Sequence, residues 1–350
     1  VTERSPGSSG DYTLGQIGEF GLINRVARTV PQGRAVLIGP GDDAALVRAA
    51  DGRVVASTDL LVEGRHFRRD WSTGYQVGRK AAAQNLADIA AMGGVGTALL
   101  VGFAAPADLP LSWAAELSAG LADECALVGA SVAGGDTVSS DRLLIAVTAL
   151  GDLGGRPPVT RAGARSGDIV AYAGELGWSA CGLDLLLNDA DGPKLAFARH
   201  RSPEPPYEQG PAAARVGATA MLDISDGLLA DLGHIAEESR VLIDLDAAGF
   251  PIDDQLRETA RKRGVDVLDW ILTGGEDHAL AACFPPDAQL PPGWHVVGRV
   301  LEAEAEHSRG QEPPETSRTA PSASAAPSAP LVTVNGAPWA TSAPGWDHFG

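Results

Sequence analysis

Cysteine is nearly absent. The three in 350 residues, Cys125, Cys181 and Cys283, are odd in number, far apart and in no CxxC spacing, which argues against both a disulfide scaffold and a zinc knuckle. Basic charge is also short: 27 Lys and Arg face 45 Asp and Glu, for a formal charge of −18. A nucleic-acid backbone or an anionic membrane is therefore a poor partner, and divalent cations are a better one. No apolar run approaches the roughly 20 residues that span a bilayer. The opening VTERSPGSSGDY lacks the apolar stretch of a secretory signal, so the expectation is a cytoplasmic protein without membrane or nucleic-acid partners. Familiar nucleotide motifs are missing too. Residues 74–80 read GYQVGRK rather than GxxxxGK[ST], no strand runs into GxGxxG, and there is neither an HRD and DFG pair nor a GxSxG elbow.

What is present suits two mixed α and β units. Apolar residues make up 44% of the chain, enough for a sizeable core. Residues 1–13 read as a disordered lead-in, 14–151 as a first unit and 152–350 as a second. The Gly-, Pro- and Arg-dense stretch 151–167 is the expected domain boundary or hinge, and the Ala/Pro/Ser tract 303–330 a flexible insert. In the first unit, apolar residues from Leu14 to Val30 suit one or two helices broken at Gly21. Strands are expected at 35–38, 54–57, 97–103 and 143–150, and helices at 75–92 and from a Ser112 cap to Leu127. In the second, strands at 168–173 and 242–245 alternate with helical patterns, one of them capped by Ser225 or Asp226.

The informative feature is a set of Asp residues in Gly-rich turns or otherwise unusual places: Asp42, Asp43, Asp59, Asp88, Asp136, Asp223 and Asp226. Asp88 stands inside an apolar helical pattern, where a carboxylate needs a partner. Taken singly, each has an ordinary reading as a turn residue, a cap or a salt-bridge partner. Gathered into one cavity they would repel one another unless cations compensated, and with the hydroxyls of Ser57, Thr58 and Thr137 they suit magnesium, the usual escort of a nucleoside triphosphate.

Motifs in a fixed order carry a resemblance. Gly18-Glu19-Phe20, Gly41-Asp42-Asp43, Ser57-Thr58-Asp59 through Gly64 with His66-Phe67, and Asn85-Leu86-Ala87-Asp88 through Gly93 are followed by Gly134-Gly135-Asp136-Thr137 and Thr160-Arg161. Asp223-Ile224-Ser225-Asp226-Gly227, Gly274-Gly275-Glu276-Asp277 and Gly345-Trp346-Asp347-His348-Phe349 complete the series. The chain resembles the thiamine-monophosphate kinases, of the superfamily that includes aminoimidazole ribonucleotide synthetase and selenophosphate synthetase. The resemblance implies an α+β fold of two domains, the N-terminal sheet pairing across a homodimer and the C-terminal domain α/β. It implies transfer of the ATP γ-phosphate to thiamine monophosphate with several magnesium ions and no covalent catalytic residue. Asp43, Ser57, Thr58, Asp59, Asp88, Asp136, Asp223 and Asp226 would be the metal ligands. Gly135, Asp136, Arg161 and Ser225 would contact ATP, and His66, Glu276 and Trp346 the thiamine substrate. Residues 201–207, RSPEPPY, lack a basic stretch common in the family, which leaves a contribution there open.

Two other classes compete. In the related families, selenophosphate synthetases use a Cys near the start and the hydrogenase-maturation relative one at the C-terminus, whereas the first Cys here is Cys125 and residue 350 is Gly; aminoimidazole ribonucleotide synthetase lacks the Gly-Trp-Asp-His-Phe ending. A cation-stabilised, non-catalytic module would have lost part of the Asp set, which is complete.

Overall fold

The structure is a computed structural model that describes residues 12–27, 31–40, 44–303 and 331–340. Asp42, Asp43, Trp346 and nearly all of the 303–330 insert lie outside the described residues, as does most of the 1–13 lead-in. Elements run α1 (Leu14–Ala27), β1 (Val36–Ile38), β2 (Leu46–Val47), β3 (Val55–Val62), α2 (Gly74–Ala91), β4 (Val95–Ala105), α3 (Leu111–Val128), β5 (Val132–Ser139) and β6 (Leu144–Asp152). They continue as β7 (Ile169–Ala173), α4 (Trp178–Leu187), α5 (Lys194–Arg201), α6 (Gln209–Arg215), β8 (Ala220–Asp223), α7 (Leu228–Ser239) and β9 (Val241–Leu245). Last come α8 (Asp254–Arg263), α9 (Val267–Thr273), β10 (Leu280–Phe284), β11 (Trp294–Glu302) and β12 (Val332–Val334).

Two sheets organise this mixed fold. The first has the order β3-β6-β4-β5, and the second the order β12-β9-β11-β7-β10-β8. The second is antiparallel except for the β12 and β9 pair. Helices α2 and α3 cover one face of the first sheet, where Ile145, Val147 and Ala149 alternate inward along β6.

Helix α2 begins at a reciprocal cap: Gln76 donates its N–H to the Thr73 hydroxyl at 3.3 Å, and Thr73 donates its N–H to the Gln76 side chain at 3.0 Å. Its alanines favour helix and keep it thin. A Cβ on Gly78 would lie 2.1 Å from the carbonyl oxygen of Leu117, so glycine is what lets α3 approach this closely. Val77, Ala81, Leu86 and Ile89 enter the core of the first unit, whereas Ala90 and Ala91 pack with Ala171, Met221 and Ala282 of the second sheet. One helix thus serves two cores.

Two local expectations are corrected. The break in α1 falls at Gly18, whose φ is +68°, rather than at Gly21. Helix α3 starts one residue ahead of Ser112, after Pro110, whose fixed φ suits a helix entry. The stretch 151–167 runs from the end of β6 to the start of β7 and is bonded on both sides: Val159 donates its N–H to the Met92 carbonyl and Met221 to the Thr160 carbonyl, each at 3.1 Å.

The contact between the units is tight enough to test. A Cβ on Gly210 in α6 would sit 1.9 Å from the Ala90 carbonyl oxygen. Gly210→Ala should therefore destabilise the protein by about 1–3 kcal/mol in urea unfolding, the usual penalty of overpacking. An unchanged midpoint would mean that the two surfaces separate at little cost.

Candidate functional site

Three elements converge where the two sheets meet across α2. Strand β3 carries Ser57 and Asp59 on the face toward the helix, α2 presents Lys80, Gln84 and Asp88 at helical spacing, and β8 ends at Asp223. The Ser57 hydroxyl donates to Asp88 Oδ2 at 2.6 Å, and Asp59 donates its N–H to Asn85 Oδ1 at 3.1 Å. Asn85, fully buried, is held in turn by donating its own amide to the Ala81 carbonyl at 2.9 Å. Across the cleft, Asp223 Oδ2 lies 3.0 Å from Nδ1 of the buried His278.

The electrostatics follow from crowding. Burial first, then the neighbouring Asp223 and Asp59 charges, push the Asp88 carboxyl up to about 8. Burial raises Asp59 as well; His278 and a hydrogen bond from Gln84 work against it, while Asp223 adds to it. Burial alone would lower His278, but its hydrogen bond to Asp223 and the charges of Asp223 and Glu276 outweigh burial and hold it above its ordinary range. These carboxylates therefore repel one another, with one imidazole as a partial counter-charge.

The loops that carry the second half of the cleft are joined to each other. Glu276 donates its N–H to the Ser225 carbonyl at 2.8 Å and His278 to Ile224 at 2.9 Å. Asp231 accepts from the N–H groups of Ser225, Asp226 and Gly227 at 3.0, 3.1 and 3.0 Å. It, rather than Ser225 or Asp226, closes the start of α7, because a carboxylate one turn inside the helix reaches three amides at once. Burial, with Asp223 and Asp226 nearby, raises Asp231 to about 7.

Of the residues singled out from sequence, Ser57, Asp59, Asp88 and Asp223 come together, with Ser225, Asp226 and Glu276 on the adjoining loops. Others stand apart. The Thr58 hydroxyl donates to the Val147 carbonyl at 3.0 Å on the outer face of the first sheet. Asp136 shares a row with Gly102, Ala146 and Leu60 on that outer face, whereas Asp59 shares one with Val147 and Val101 on the inner face. Strand β5 is also three strands from β3, about 14 Å at ordinary sheet spacing. Gly135 precedes Asp136 in the same edge strand, His66 accepts from the Val62 N–H in the turn after β3, and Arg161 is exposed in the loop between the sheets. Lys80, Gln84, Asn85, Asp231 and His278 are residues of the cleft that the sequence does not mark out, although the polar stripe 80, 84, 88 in an alanine helix is a signal for the first two.

Cation chemistry fits this donor set in kind. Asp59, Asp88 and Asp223 are hard oxygen donors, and the raised affinity of Asp59 and Asp88 for protons reports burial and unbalanced negative charge. Among the described residues no three His, Cys, Asp or Glu form a ready-made metal cage.

The AIR synthase related protein N-terminal domain family matches residues 41–153. Thiamine-monophosphate kinase of Mycobacterium tuberculosis H37Rv is 53% identical over 294 residues, covering 84% of this chain and 88% of the relative. The chain belongs to the thiamine-monophosphate kinase family. The kinase of Corynebacterium glutamicum is 40% identical over 84% of this chain and 89% of its own length. A solved structure of AaThiL complexed with AMPPCP and TMP superimposes with a TM-score of 0.72 at 29% identity, covering 97% of this chain and all of that one.

The crowding has a pH signature. Folded Asp88 keeps its proton up to about 8, whereas the unfolded chain loses it near the ordinary 3.8, so rising pH between those values costs the folded state stability. With chelator present, Asp88→Asn should melt higher than the parent protein by a margin that grows from pH 5 to pH 8. A margin independent of pH would show that Asp88 is not under this repulsion.

Proposed function

We propose that the chain transfers the γ-phosphate of ATP to thiamine monophosphate, giving thiamine diphosphate, in the cytoplasm. The observation that carries the reading is the meeting of Asp59, Asp88 and Asp223 from both halves of the fold, in a chain that shares this family's motifs along almost its whole length.

Asp59, Asp88 and Asp223, with Asp226, Asp43 and the Ser57 hydroxyl, would hold magnesium. Bound there, the metal would neutralise the phosphoryl oxygens that bare carboxylates repel. The chain's own task is alignment. Ser225, Gly135 and Arg161 are assigned to the ATP side, and Glu276, His66 and Trp346 to thiamine monophosphate. The acceptor is a phosphate monoester with a second pKa of about 6, already mostly anionic at neutral pH, so no strong general base is needed. A cysteine nucleophile is disfavoured: burial pushes the thiols of Cys125, Cys181 and Cys283 up to about 12. Direct in-line transfer follows, with inversion at the transferred phosphorus.

Purified protein should release ADP only when thiamine monophosphate, ATP and magnesium are all present, and chiral-phosphate analysis should show inversion. ADP release independent of thiamine monophosphate would overturn the acceptor assignment. Retention of configuration would overturn direct transfer.

The outer face of the first sheet supports a homodimer. Leu60, Val138, Thr58 and Ala56 stand exposed there, with Leu144, Ala146 and Leu150 only half-buried, an apolar surface no described element covers. A second copy presenting the same face would bury it with two-fold symmetry. Leu60→Glu should then convert a dimer to a monomer by light scattering while leaving the fold intact. A parent protein that is already monomeric at micromolar concentration would exclude this pairing.

A further inference from the structure

Lys80 is among the largest fully buried side chains of the protein, and its surroundings are not those of a packing residue. Its stem belongs to α2, in the first unit. Its ammonium donates to the His200 carbonyl at the end of α5 at 3.1 Å and pairs with Glu276 Oε2, both in the second. Removing an ammonium from water is costly, and an apolar side chain of similar volume generally serves stability as well or better. The position of the charge therefore calls for a use beyond packing.

Its partner supplies one. Glu276 sits with a φ of +67° and His278 with +52°, two non-glycine residues in the left-handed region within a single tight loop. That loop is fixed at its centre by Asp277, whose two oxygens accept from the N–H groups of Gly177 at 2.6 Å and Ser179 at 2.8 Å. Within it the Glu276 side chain is not sealed. Oε2 is buried against Lys80, yet the side chain keeps 32% of its exposure beside the Asp223 and Ser225 loop. Burial would favour its protonated form, but Lys80 and His278 outweigh burial and hold the carboxyl at about 2, so it stays an anion. An anchored anion with one oxygen tied and the other open is an acceptor for a cationic or amino-bearing group.

We infer that Lys80 is a positioning residue for the acceptor substrate: it reaches across from the first unit and fixes Glu276 so that the free oxygen receives the charged or amino-bearing ring of thiamine monophosphate. This rests on the reading of thiamine monophosphate as acceptor. Lys80 itself touches no substrate in this arrangement.

The test is a split between two Michaelis constants. Lys80→Met should raise KM for thiamine monophosphate at least about tenfold while KM for ATP moves less than about twofold, because only one substrate's ground-state binding is disturbed. Glu276→Gln, which keeps size and shape, should show the same selectivity and covers the case in which Lys80→Met does not fold. The double variant should be no worse than the poorer single one, since both remove one coupled interaction. Equal rises in both constants, additive losses, or a fall in melting temperature with unchanged kinetics would overturn the proposal and leave Lys80 as a structural tie. Turnover by the parent protein is measured first: none with thiamine monophosphate would remove the acceptor reading, and this proposal with it.

Discussion

The constraint on which the rest depends is the double burial of α2. A helix exposed on one side can vary there, but this one is enclosed by the first sheet, by α3 and by the second sheet, so nearly every position is committed. Alanine and glycine answer the steric demand. Its polar residues from position 80 onward, Lys80, Gln84, Asn85 and Asp88, must each find a partner inside the protein, and each does so toward the cleft or across the junction. Scaffold and site are in this sense one object, because the helix that joins the cores also aims the chemistry.

Charge in the cleft is arranged at long range in sequence and short range in space. Asp59, Asp88 and Asp223 come from three elements and share a poorly hydrated volume, where their repulsion is larger than it would be in water. His278 offsets part of it from the loop before β10. Lys80 lies further along α2 and compensates Glu276 instead. The site is thus poised with a net negative balance, which suits the recruitment of cations and opposes the entry of a bare polyphosphate.

Much of this could be read from the residues. The alanine-rich pattern ending at Gly93 marked α2 closely, and an Asp within it pointed to Asp88 as something other than surface decoration. The motif order was enough to identify the family. What escaped were features settled by neighbours. Nothing local in GRPPVTRAGAR says that its backbone is bonded to two units, and nothing local at Asp231 says that it will hold the amides of the preceding loop. Thr58 and Asp59 show the limit most directly: adjacent in a motif, they point to opposite faces because strand geometry alternates, so a motif read as one cluster is divided by the pleat.

The Asp231 contacts bear on how phosphate can be recognised. Backbone amides at the start of a helix commonly form an anion nest, and many nucleotide-binding proteins use one to cradle phosphoryl groups. Here the amides of Ser225, Asp226 and Gly227 are already taken by the chain's own carboxylate. An incoming polyphosphate meets an occupied nest rimmed by acidic side chains, so the attraction it needs must arrive with its counter-ions. Absence of a glycine-rich phosphate loop from the sequence is then more than a missing signature: the fold has turned its nearest equivalent inward, and has left selection of the nucleotide to the ions that accompany it.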